Sequence, residues 1–362
     1  MPIDTRNNVD FPRPAGSGES RSNGRGNGRA RDTGSAAGGA GGRVPRVSVG
    51  LPVYNGAELL PEAVESILNQ TYADLELVIC DNASSDGTEA MCREYARRDP
   101  RVRYFRNSKN IGAAPNFNRT FELSRGPLFK WMAHDDVALP TNIERCVEVL
   151  DANPQVVLCS ARRRYMDYDG RLCVEDPVES FHNLSIPQLL RLDGSRYPAY
   201  MMGVMRREVL ARTRKMDTFV AADTVWVIEM RMQGELWEWP EELHRMRWPD
   251  KSAGHRSVRK TPRGEAIFLD PLNAARRFLM PPGIKLLIEM LRSVARSPAA
   301  AAVRRQASRE IVAHAMEKLR RVIRPRELSR YVTQNVKWAT QTLSDTEREH
   351  ALGPRPTEKA HT

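Results

Sequence analysis

Residues 47–53, VSVGLPV, and residues 75–80, LELVIC, decide the fold. Both are short, mostly apolar runs, as expected of strands covered on both faces in a parallel sheet. Between them, residues 58–70 (ELLPEAVESILNQ) set Leu60, Val64, Ile67 and Leu68 at helical spacing. Working outward, the polar turn DNASSDGT (81–88) leads into a helix over 88–98. Val102–Phe105 reads as a third strand, 115–124 as a helix, and Leu128–Met132 as a fourth strand. That strand ends at Ala133-His134-Asp135-Asp136. The β-α-β-α-β-α-β alternation predicts an α/β, Rossmann-like, mainly parallel sheet with helices on both faces.

The rest of the chain is less regular. Strands are expected over 156–166 and 199–206, and a helix over 219–233. Beyond about residue 271 the pattern is helical. Ile284, Leu287, Ile288, Leu291 and Ala295 form one apolar stripe, and Ile311, Ala315, Met316, Leu319 and Ile323 another, with Arg and Lys opposite. Such basic amphipathic helices suit the anionic surface of a membrane, although packing on a domain is their commoner fate. The expected organisation is a Gly/Arg-rich disordered tail (1–43), a catalytic-type domain (44–255, divided near 140), a helical extension (256–345) and a flexible tail (346–362).

Composition sets the outer limits. The 362 residues carry 56 Lys plus Arg against 45 Asp plus Glu, a net charge of +11. The balance suits an anionic partner such as a nucleotide, an acidic lipid surface or nucleic acid. Ten of the 23 glycines fall in the first 43 residues, which have few large apolar side chains to offset the entropy of ordering. The tail has no interleaved aromatics, so specific nucleic-acid binding is not expected. Five widely spaced cysteines without a CxxC suit reduced thiols rather than a zinc site. No secretory leader and no membrane-spanning run is read, so a cytoplasmic protein, at most peripheral to the inner face of a membrane, is expected.

Three polar clusters sit at expected strand ends: Pro52–Gly56, Asp81–Asp86 and His134–Asp136. Open α/β sheets bind ligands there. None contains GxGxxG or a GxxxxGK[ST] loop. The ends carry carboxylates instead, which can accept hydrogen bonds from a base or ribose, or hold a hard divalent cation bridging a diphosphate. Capping is the competing role for each: Asp86, before Gly87-Thr88, reads mainly as a helix cap.

The stretches VSVGLPVYNGAELLPEAVESILNQTY, LELVICDNASSDGT, RNSKNIGAAPNFN and FKWMAHDDVALP together resemble the nucleotide-binding half of a family 2 glycosyltransferase of the GT-A fold. The resemblance is strong over residues 46–140 and weaker to about 250. It implies that Pro52, Tyr54 and Asn55 line the nucleotide pocket and that Asp81 binds the base edge. Asn110, Gly112 and His134 would lie beside the donor. Asp135 matches the metal-binding last acid of the family's DxD motif, whose first acid is replaced by Ala133. Asp136 is expected as a second oxygen ligand for Mg²⁺ or Mn²⁺.

In the second half, Asp223, ahead of a helix, matches the family's catalytic base, and N-capping is its structural alternative. His244, Arg245, Arg247 and His255 are expected in a flexible basic loop able to neutralise a departing diphosphate. Trp226, Trp237, Trp239 and above all Trp248 are candidates for stacking on an acceptor sugar, and otherwise belong to the core. The resemblance implies an inverting transferase. It would move a sugar from a nucleoside-diphosphate donor to a glycan, glycoside or lipid-linked acceptor, in the building of cell-envelope glycans or glycolipids. A sugar-1-phosphate nucleotidyltransferase and a non-catalytic sugar-nucleotide or glycan-binding module are the alternatives.

Overall fold

The computed structural model describes residues 43–174, 183–191, 200–219, 221–247 and 282–322. The first half is the expected alternation: β1 (Val47–Val53), α1 (Leu60–Leu68), β2 (Leu75–Asp81), α2 (Thr88–Arg98), β3 (Val102–Arg106), α3 (Ala113–Leu123) and β4 (Leu128–Trp131). Every residue of β1 and β2 is buried, which is why their sequences show no polar alternation. These four strands pair in parallel in the order β3-β2-β1-β4. Their carboxyl ends, Val53, Asp81, Arg106 and Trp131, therefore share one edge.

The chain continues through β5 (Val137–Ala138), α4 (Asn142–Ala152), β6 (Val156–Met166), β7 (Leu172–Val174) and α5 (Ile186–Arg191). Then come β8 (Val204–Arg206), α6 (Arg207–Ala211), α7 (Ala222–Arg231), β9 (Glu235–Arg247), α8 (Pro282–Arg296) and α9 (Ala301–Val322). The sheet extends from β4 through antiparallel β8 to β6, β9 and β5, with β7 on β6. Strand expectation 199–206 shrinks to Val204–Arg206, because Tyr200 and Met201 are helical.

Helices cover both faces. On one, Leu60, Val64 and Ile67 of α1 and Ile143, Cys146 and Val147 of α4 pack with Val49, Leu51 and Leu77. On the other, Phe121 of α3 and Trp226 of α7 pack with Phe129, Trp131 and Leu158. α3 presses so closely on β1 that a Cβ on Gly50 would lie 2.3 Å from Thr120 Oγ1. Cys80, Cys92, Cys146 and Cys159 are buried free thiols.

α8 and α9 dock on α5 and α7 through Met290, Val294, Ala307 and Ile311. The buried arc is turned from the apolar stripes read in the sequence: Met290 and Ser293 are inside while Ile284 and Met316 are about half exposed. The cause is polar. Arg214 binds Glu229 on α7 (2.8 Å), and on α8 it binds Glu289 (2.8 Å) and Ser293 Oγ (2.8 Å), so it fixes which side of α8 faces in. Among the described residues, no helix is long and apolar enough to cross a membrane.

Candidate active site

The strand order reverses between β1 and β4, and a crevice at that switch point is the expected ligand site. Pro52 starts it. Gly50 O accepts from Met132 N (2.9 Å), so Gly50 faces β4, and two residues on Pro52 does too. With no N–H, Pro52 cannot extend that ladder, and the β1–β4 pairing ends at Gly50–Trp131.

Tyr54 and Asn55 follow in a turn, Asn55 with a left-handed φ of 49°. Asn55 N donates to Ser84 Oγ (2.9 Å) and Asn55 Oδ1 accepts from Ser85 N (2.8 Å), tying the first loop to the second. Asp86 caps as expected: its carboxylate accepts from Thr88 N (3.0 Å) and Ala57 N (3.1 Å). Burial opposes its ionisation, but these bonds and Thr88's hydroxyl outweigh it and hold the carboxyl below its usual range.

Asp81 is fully buried at the end of β2. Its carboxylate accepts from Ser84 N (2.8 Å) and Tyr104 OH (2.9 Å) and lies 3.3 Å from Arg106 Nε. Burial, then the bond to Asp81, raises the Tyr104 phenol.

Asn110 and Gly112 join a network of amides that sequence reading missed. Asn82 Nδ2 donates to Asn110 Oδ1 (2.8 Å) and Gly112 O (3.1 Å), while Asn82 Oδ1 accepts from Asn107 Nδ2 and Ile111 N (both 2.9 Å). Asn107 also donates to Asn116, which donates to Cys80 O. Gly112, at φ 92°, starts α3 in a conformation glycine adopts without strain. A polar Asn116 on the buried face of α3 was the available signal.

The fourth loop closes the crevice. His134 packs on Gly56, where an added Cβ would meet its ring at 2.5 Å, so the loops after β1 and β4 touch. Asp135 is 39% exposed; no described residue donates a hydrogen bond to its carboxylate, and His134 Nδ1 is 3.9 Å away. Asp136 faces the other way. It is buried, with Oδ2 at 3.1 Å from His244 Nε2 and Oδ1 accepting from Arg247 N (3.0 Å). Its lone pairs thus serve the fold, where the sequence suggested a second metal ligand. Among the described residues no three His, Cys, Asp or Glu side chains form a metal cage. The donor set still fits a hard cation: one exposed carboxylate can hold Mg²⁺ or Mn²⁺ when a diphosphate and water supply the other oxygens.

Asp223 lies in the first turn of α7, just after Ala221 in a left-handed conformation (φ 62°). Asp223 Oδ1 accepts from its neighbour Thr224 N (2.8 Å). Burial pushes its carboxyl above the ordinary value, and backbone hydrogen bonds offset this only in part. Trp226, one turn on, meets Trp131 at the end of β4 edge-on, 5.8 Å between centroids. The helix that carries Asp223 therefore packs against β4, the strand that runs into the loop of Asp135.

The basic loop expected around 244–247 is the end of strand β9. His244 and Arg247 are buried there, and burial holds His244 below its usual pKa although Asp136 opposes this. Trp226 and Trp239 are core, and Trp237 packs beside it. Trp248 and His255 lie outside the described residues. Glu229 is taken by Arg214.

Comparison with known proteins bears on the family and the fold. The chain is 35% identical to chondroitin synthase of Escherichia coli over 130 residues, 36% of this chain and 19% of that one. It is 34% identical to the putative glycosyltransferase EpsE of Bacillus subtilis over 108 residues, 30% and 39% of the two chains. The matches thus span less than half of either relative. S. aureus TarS 1–349, solved in complex with UDP-GlcNAc, superposes with a TM-score of 0.54 over 81% of each chain at 12% identity, a likeness of fold. Residues 48–214 match the model of Glycosyl transferase family 2. That segment resembles glycosyl transferase family 2, and the fold is of the GT-A type.

Proposed function

We propose that the chain transfers a sugar from a nucleoside-diphosphate sugar to an acceptor hydroxyl with inversion at the anomeric carbon. The observation that carries this is the contrast between two carboxylates: Asp135, partly exposed at the crevice with no donor among the described residues, and Asp223, desolvated on a helix packed against the strand that leads into the Asp135 loop. Asp81, Tyr54 and the Asn82–Asn110–Gly112 network shape the nucleotide end. Asp135 would hold Mg²⁺ or Mn²⁺, which when bound offsets charge on the departing diphosphate. Asp223, its affinity for a proton raised by burial, would take the proton of the attacking hydroxyl. A glycan acceptor, of the cell envelope or lipid-linked, is the class proposed; the name chondroitin synthase is in keeping with a glycan, and the basic helices α8 and α9 suit an anionic surface.

The test is a panel of nucleotide sugars screened by thermal shift with and without Mn²⁺, followed by product analysis of the one that binds. A ligand present at 100 times its Kd stabilises the fold by about 2.7 kcal/mol. A nucleotide sugar should raise Tm more with Mn²⁺, and the product should carry the opposite anomeric configuration. Release of pyrophosphate from a nucleoside triphosphate and a sugar phosphate would support the nucleotidyltransferase alternative, and binding without turnover the non-catalytic one.

A further inference from the structure

We infer that Arg247 is a positioning residue for Asp135. The inference rests on the reading of Asp135 as the diphosphate-side metal ligand.

The Asp135 side chain has no described hydrogen-bond donor, so whatever aims it must act through its backbone. Among the described residues, the hydrogen bonds that reach Asp135 and Asp136 from outside their loop come from the end of β9. Arg247 Nε donates to Asp135 O (3.0 Å), and Arg247 N donates to the carboxylate of Asp136 (3.0 Å). The rest of the guanidinium fork is also used. Nη1 donates to Asp167 O (3.0 Å) and to Tyr168 O, and Nη2 to Glu62 at the start of α1. The side chain is 3% exposed. One planar cation thus joins the metal-side loop, helix α1 and the β6–β7 turn. His244, three residues earlier on β9, secures the other oxygen of Asp136. Two consecutive residues of the loop are therefore pinned by a single strand end.

A desolvated guanidinium is a costly way to satisfy three carbonyls unless its geometry matters, since lysine offers a point charge and cannot span the same fork. The arrangement gives the fork a function: it fixes the direction of Asp135 while leaving both carboxylate oxygens to a ligand. The sequence reading put Arg247 on a flexible loop, contacting diphosphate directly. Its burial and its partners instead make it act through Asp135.

The test measures metal binding itself on the full chain. Free Mn²⁺ is followed by its electron paramagnetic resonance signal, in the presence of whichever of UDP or GDP raises the wild-type Tm. Arg247→Lys should need about 10- to 100-fold more Mn²⁺ for half-occupancy. Its affinity for the same nucleotide without metal should stay near wild type. Glu62→Ala, at an exposed position, releases one arm of the fork and should shift Mn²⁺ binding about two- to fivefold in the same direction. If Arg247→Lys fails to fold, Glu62→Ala decides alone. Wild-type Mn²⁺ binding in the folded variants, or equal loss of metal-free nucleotide affinity, overturns the positioning role. Wild-type Mn²⁺ binding in Asp135→Asn overturns the metal reading and this inference with it, so the two failures are distinguishable.

Discussion

Asp223→Asn should cut turnover and raise stability at once. In the native state Asp223 is desolvated, no described cation pairs with it, and among the described residues its carboxylate accepts from the N–H of Thr224. The amide oxygen of Asn keeps that bond and fills nearly the same volume, so the fold loses nothing. It gains by shedding a charge that burial disfavours, an effect on the order of 1–3 kcal/mol. For a domain of this size each kcal/mol moves Tm by about 2–4 °C. The sign with pH follows from the raised carboxyl. The wild-type protein keeps full stability from this group below the unfolded-state value, near 3.9, and loses it as pH rises through the higher folded-state value. The stability gap between variant and wild type should therefore be small at low pH and largest at neutral pH. Activity moves the other way. Losing a general base costs about 10²–10⁴ in kcat, or roughly 3–5.5 kcal/mol of barrier. Donor affinity should hold, because the nucleotide end lies in other loops. The assays are urea or thermal unfolding from pH 3 to 8 and steady-state transfer with the sugar found by screening. A variant that turns over within tenfold of wild type removes Asp223 from the chemistry, and one that melts lower at neutral pH shows that the carboxylate was a structural cap.

Three further outcomes are expected. Gly50→Ala drives a Cβ to 2.3 Å from Thr120 Oγ1 and 2.8 Å from Phe129 Cζ, and should lower the urea midpoint by about 1–3 kcal/mol in stability with an unchanged m value. Tyr104→Phe removes the hydroxyl donor to the buried Asp81, and should cost about 1–3 kcal/mol in unfolding experiments and weaken UDP or GDP binding by titration calorimetry. Arg214→Met leaves Glu229 and Glu289 without their shared cation, at about 3 kcal/mol, and amide exchange should quicken in α8 and α9 while β1–β4 stay protected.

The first half of the fold was legible because burial on both faces leaves a plain signal: β1 and β2 are short apolar runs with turns between them. β9 was not legible for the opposite reason. Its sequence, ELWEWPEELHRMR, is rich in charge and interrupted by Pro240. The register explains both. Ala161 pairs with Trp239 and Arg162 with Glu242, so Pro240 and Glu241 form a bulge where no ladder N–H is needed. The charges answer partners distant in sequence: Glu242 to Arg164, His244 to Asp136, Arg247 to Glu62. No local pattern announces such pairs. The stripe of α8 gave the packing but not its direction, since hydrophobic periodicity cannot know that Arg214 will draw Glu289 and Ser293 inward.

The same contrast separates the surroundings of the four carboxylates, to which the sequence reading gave four roles. Asp81 is buried and saturated by an N–H, a phenol and a guanidinium, so it is an oriented acceptor whose lone-pair directions are already set. Asp136 is buried and spent on β9, which makes it part of the scaffold. Asp135 is next to it in the chain and partly exposed, with its backbone fixed and no described donor to its oxygens, a state that suits a hard cation. Asp223 is desolvated without a counter-charge, the state that favours taking a proton. A desolvated carboxylate without a described counter-charge is tolerated only where some other gain offsets it, and among these four only Asp223 is in that state. A neighbouring strained residue, Ala221 at φ 62°, puts two unfavourable features within three residues at the start of α7, in keeping with the role proposed for Asp223.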